Sequence, residues 1–229
     1  SLRYRGEYID NFRVGTHKSY FENGKIDSLV EYDSLGVKDG VFQSYYENGQ
    51  KGFLGEYSKG VQTGEYKTWK SDGNLWITGQ FGKNGKLDGI KKMFDPDGGS
   101  SEFLYKNGVL SRVRYYDEYD LWFQSDYKDG KKQSIKHYPN SPSHPLHSVV
   151  TFEDGNDDVG WKETCFTDGT LKEKYQVDGV TGFNKVGEFY EYKQDGSLWI
   201  KGEYTDNKQT GLWVWYDEDG VVTSMSHMD

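Results

Sequence analysis

The sequence predicts an all-β fold, an elongated array of about nine β-hairpin repeats of 24–25 residues, and three observations predict it. First, an aromatic residue in Gly-Glu-Tyr-like strands recurs at Tyr8, Tyr32, Tyr57, Phe81, Tyr105, Tyr127, Phe152, Tyr175 and Tyr204. Second, a glycine is followed nine residues later by another, at Gly15/Gly24, Gly40/Gly49, Gly64/Gly73, Gly89/Gly98, Gly160/Gly169, Gly187/Gly196 and Gly211/Gly220. Third, the residues between turns alternate with the period of a strand. After Asp195-Gly196, Leu198, Ile200, Gly202 and Tyr204 share one face and Trp199, Lys201 and Glu203 the other; Leu75, Ile77, Gly79 and Phe81 repeat the pattern.

The closing glycine of each pair follows Asn or Asp (Asn23, Asn48, Asp72, Asp97, Asp168, Asp195, Asp219), which predicts a two-residue hairpin turn. Five residues after the opening glycine stands an aromatic residue, Tyr20, Tyr45, Trp69, Phe94, Tyr192 or Tyr216, with Cys165 as the exception, read as a small buried substitute. One hairpin cannot hold itself together in water, so the units must stack.

Two stretches interrupt the pattern. Units five and six, roughly 103–142, lose the paired glycines, with Tyr115-Tyr116-Asp117-Glu118-Tyr119-Asp120 and His137-Tyr138-Pro139-Asn140-Ser141 in the turn positions, and Pro139, Pro142 and Pro145 follow. The predicted organisation is six units over 1–142, three over 143–220 and a cap or tail over 221–229, with an insertion at 180–185.

Composition narrows the function. Hydrophobic residues are only 34% but aromatics reach 17%, so rings supply most of the apolar area. A net charge of -9, with no run of Lys or Arg longer than two, argues against nucleic-acid or anionic-membrane binding through a basic face and favours a basic protein partner. No apolar run approaches a membrane span. The chain begins at Ser1 without a visible signal segment, so a cytoplasmic site is expected unless an upstream export signal was removed.

No nucleophile elbow, phosphate loop or paired-carboxylate signature stands out, and neither catalysis nor a cofactor is expected. His137, His144 and His147 match no zinc spacing. Asp154, Asn156 and Asp158 place oxygens at alternate positions, as a calcium loop does, but Val159 stands where that loop needs glycine and Cys165 where it needs glutamate. The candidate binding residues are rings. Trp76 and Trp199 fall opposite the Leu-Ile-Gly-aromatic face, Trp213 and Trp215 share a side of the last hairpin, and Tyr115, Tyr116 and Trp122 lie in the irregular stretch.

Tyr45 to Gly60, Tyr20 to Gly24 and Gly202 to Gly220 resemble the MORN repeat, in its bacterial variant of about two dozen residues. The resemblance implies a hairpin array that serves as a scaffold or binding surface, with antitoxin or immunity components among its bacterial members. It implies no catalytic residues. The expected function is therefore a non-catalytic protein-binding module or scaffold of antitoxin or immunity type, with a cell-envelope or glycan-binding module as the alternative.

Overall fold

The computed structural model describes residues 3–118, 120–138, 147–152, 159–178 and 184–229. Among them are 19 strands and no helix. The chain divides into two compact units, Ser1–Ser111 and Arg112–Asp229.

The first unit holds β1 (Tyr4–Ile9), β2 (Phe12–Tyr20), β3 (Ile26–Tyr32), β4 (Lys38–Tyr45), β5 (Lys51–Ser58), β6 (Val61–Trp69), β7 (Leu75–Phe81), β8 (Gly89–Phe94) and β9 (Ser100–Lys106), each paired antiparallel with the next. β10 (Val109–Asp117) begins there and continues into the second unit. The second unit goes on through β11 (Asp120–Lys128), β12 (Lys131–His137), β13 (Ser148–Phe152), β14 (Val159–Cys165), β15 (Leu171–Asp178), β16 (Lys185–Tyr192), β17 (Leu198–Thr205), β18 (Lys208–Tyr216) and β19 (Val222–Met228), again a meander of antiparallel neighbours. From β2/β3 to β18/β19 the strands make nine hairpins, the number the repeat predicts.

The turns correct the sequence expectation. The Asn/Asp-Gly pairs that close the nine-residue interval do not form two-residue turns. At residues 21–25, Gly24 N–H donates to Phe21 O (3.0 Å), Phe21 N–H donates to Lys25 O (2.9 Å), and only Gly24 takes a positive φ, +85°. Asn23 instead accepts from Lys25 N–H through its side chain (2.9 Å), and Asn48, Asp72, Asp168 and Asp195 do the same two residues on. A loop of this width needs one left-handed residue and a strand bulge, seen as register shifts after Ser19, Ser44 and Thr68. The two-residue turns lie at the other ends of the strands: Asp10-Asn11, Lys59-Gly60, Asn107-Gly108, Asp129-Gly130 and Asp206-Asn207 all have both residues at positive φ.

The irregular stretch is also more regular than predicted. Tyr115 and Tyr116 stand inside β10 rather than in a turn, because alternating side chains kept the strand after its glycines were lost. The segments 139–146 and 179–183, which include the proline-rich break and most of the insertion, lie outside the described residues.

Candidate functional site

Each unit has a ring face, built by one repeated device. Two residues after the positive-φ Gly40, Gly64, Gly187 and Gly211 stand Phe42, Tyr66, Phe189 and Trp213, and His17 takes this place after Gly15. Three of them, Tyr66, Trp213 and His17, lie across a glycine of a neighbouring strand. A Cβ added at Gly79 would come 2.5 Å from Tyr66 Cε1, and one at Gly202 or Gly6 would run into Trp213 or His17. The glycine of the Gly-Glu-Tyr strands is therefore a seat for a ring. In the second unit the face closes into a core of Ile135, Val150, Phe152, Tyr175, Val177, Phe189 and Trp213.

Lysines lie over the same rings. Lys185 Nζ stands 4.3 Å from the Tyr175 centroid, 4.6 Å from Phe189 and 5.1 Å from Tyr204, and Lys38 sits likewise over Phe42 and Tyr57 at 5.2 and 5.0 Å. Burial pushes the Tyr175 hydroxyl up to about 12, helped by Glu173. Lys162, half-buried opposite Tyr175 in register, is lowered by burial and by Lys185.

The candidate tryptophans divide between the faces. Trp213 is 2% exposed, and its ring meets Phe189 at 5.5 Å and Tyr204 at 5.3 Å. Its Nε1–H donates to Thr210 O (3.2 Å). Trp213 is thus core, a correction to its reading as an accessible ring: alternation places a side chain on a face without saying whether that face is covered. Trp215 is partly buried against the same core. Trp76 and Trp199 point the other way, on β7 and β17, and each is 42% exposed.

On β10 and β11 the structure brings Tyr115 to Trp122 (5.8 Å) and Phe123 (5.5 Å), and Phe123 to His137 (5.2 Å). Trp122 keeps 40% exposure. Tyr116, the next residue after Tyr115, is partly buried. Burial, then Lys162 and His147, lowers the His137 pKa. His147 N–H donates to His137 O (3.1 Å), while His144, Asp154, Asn156 and Asp158 lie outside the described residues. Cys165 is partly buried, and burial with Glu163 pushes its thiol up, away from the reactive thiolate form.

Sequence reasoning missed one group, the polar row on the non-ring face of β10–β12. Arg112 Nε donates to Asp126 Oδ1 (2.6 Å), Gln124 Nε2 donates to Asp126 Oδ2 (2.9 Å), and Arg114 Nε donates to Gln124 Oε1 (2.9 Å). Burial works against the Asp126 carboxylate, but these hydrogen bonds outweigh it and hold its pKa below the ordinary value. The available signal was two arginines at i and i+2 in a chain with few arginines.

Among the described residues no group of three or more His, Cys, Asp or Glu side chains is placed to hold a metal. Depressions on the non-ring face of the first unit are shallow and open; one of about 250 Å³ is lined by Glu65, Tyr66, Lys67, Thr78, Gly79, Gln80 and Ile90. Among the described residues no helix is long and apolar enough to cross a membrane, which says nothing of a β-barrel.

A family model for the MORN repeat variant matches residues 13–34, 38–57 and 209–229, which are β2/β3, β4/β5 and β18/β19. The match covers three of the nine hairpins. MORN repeats generally serve as binding modules for proteins or membrane lipids. No match is found among curated proteins. A solved structure titled "Crystal Structure of TcdB2-TccC3-TEV" is similar over 96% of this chain and 18% of its own, at 10% identity and a TM-score of 0.18. A likeness that weak carries no argument about fold or function.

Proposed function

We propose that this MORN-repeat chain is a non-catalytic protein-binding module whose contact residues are the exposed rings of the non-ring face. The observation that carries this is the paired placement of Trp76 and Trp199. Both occupy the same repeat position and remain 42% exposed, while Tyr66, Tyr175, Phe189 and Trp213 of the opposite face are buried. A large ring costs solubility on a surface, and rings of this kind supply most of the energy of protein interfaces. The net charge of -9 favours a basic partner, by faster encounter and rejection of acidic competitors. An immunity-type role against a basic toxin fits this pairing.

Affinity capture from the native host's lysate at low and moderate salt, with mass spectrometry of the bound fraction, tests the reading. One stoichiometric basic protein, released by salt, is the expected result. Capture of no protein, together with binding to purified envelope polysaccharide, would transfer the proposal to a glycan-binding module.

A further inference from the structure

The non-ring face of β10–β12 carries charge of the opposite sign to the chain as a whole. Antiparallel register sets Arg112 beside Asp126 and Ser134 in one row, and Arg114 beside Gln124 and Lys136 in the next. Two cations flank a single carboxylate, with a third, Arg114, one residue pair away on Gln124: Asp126 accepts from Arg112 and Gln124, from Ser134 Oγ at 3.2 Å, and lies 3.9 Å from Lys136 Nζ. Arg112 and Lys136 keep 37% and 34% of their side-chain exposure.

The pairing of Arg114 is the informative detail. A strand built only for stability would set an acid opposite it. Here its Nε is held by the neutral amide of Gln124, which is 5% exposed and is itself fixed by its bond to Asp126. The amide orients the guanidinium without neutralising it, and the terminal nitrogens of its planar fork suit a carboxylate. Along the same face, Tyr116 lies two residues beyond Arg114 and pairs with Leu121, the register having shifted by one residue after Tyr115. Asp117, Glu118 and Asp120 follow at the turn, so the cationic end is the Arg112–Lys136 end.

We infer that this face binds an acidic peptide segment, with a carboxylate on Arg114 and Lys136 and the peptide's apolar part against Tyr116 and Leu121. Apolar side chains beside the cations favour a peptide over a bare phosphate or a lipid headgroup. The sign of the patch is wrong for a basic partner, so the inference goes beyond the proposed function and stands or falls separately from it.

The test is fluorescence anisotropy of a labelled penta-glutamate peptide against the full chain at low salt. Saturable binding is expected, weakened tenfold or more by Arg114→Gln and several-fold by Lys136→Gln, and left unchanged by Lys38→Gln in the first unit. Circular dichroism and a melt accompany each variant; if Arg114→Gln unfolds, Lys136→Gln carries the comparison. Absence of saturation would overturn the inference, as would equal affinity in the folded variants. So would binding confined to inorganic phosphate or to phosphatidylserine vesicles.

Discussion

His17 and Trp213 occupy the same place in the first and last hairpins, two residues after a left-handed glycine, and they are 1% and 2% exposed. Each lies across a strand glycine, Gly6 in one case and Gly202 in the other. Trp213 is held by other rings and needs one acceptor, Thr210 O. His17 needs a partner on each nitrogen. Its Nε2 donates to Glu7 O (2.8 Å), since a carbonyl only accepts, which leaves Nδ1 to accept from the Tyr4 hydroxyl. Tyr8 and Tyr32 pack edge-on at 5.3 and 5.1 Å. The seat therefore selects a flat ring over a glycine, and polarity is admitted where the surroundings satisfy it.

Several substitutions break or sharpen this comparison. The largest effect belongs to the seat: Gly202→Val and Gly6→Val place carbon inside a ring, and thermal melts should show losses at least as large as Trp213→Ala, about 3–5 kcal/mol. His17→Leu comes next. It keeps the bulk but strands the Tyr4 hydroxyl and Glu7 carbonyl, and denaturant unfolding should show a loss of about 1–3 kcal/mol. A loss near zero would mean that the polar pairing contributes nothing. Lys185→Met keeps the packed stem and removes the charge over three rings, with an expected loss of about 0.5–2 kcal/mol.

The smallest effect concerns pH. The pKa of His137 is lowered below its ordinary value of 6.5, so the folded state favours the neutral ring. Its contribution is fully present above the unfolded pKa and is lost as pH falls through the folded one. Stability of the wild type should decline over that window, and His137→Asn should flatten the decline; parallel curves would contradict it.

How much of this was legible follows from which signals are local. Leu75, Ile77, Gly79 and Phe81 declared both their strand and its shared face, because alternation is a property of backbone geometry. The turn types were exchanged, because Asn-Gly and Asp-Gly suit both the two-residue turn and the wider loop, and only hydrogen-bond register separates Asn23-Gly24 from Asn107-Gly108. Trp213 could not be separated from Trp76 and Trp199 as buried or exposed, since cover depends on neighbours far along the chain. The ring seat itself was readable, two residues after each opening glycine, but the aromatic five residues on drew the pattern instead. Arg112 and Arg114 were hidden because they lie in repeats that have lost the marking glycines.

The central claim is that one face of the sheet holds the fold while the other carries the partner. It is tested most directly by comparing the wild type with Trp76→Ala/Trp199→Ala in both melting temperature and capture of the partner. The account predicts a melting temperature within a few degrees of wild type, since exposed sites change stability by about 0.5 kcal/mol or less, together with loss of the captured protein. Unchanged capture, or a melt as damaged as that of Trp213→Ala, would contradict it.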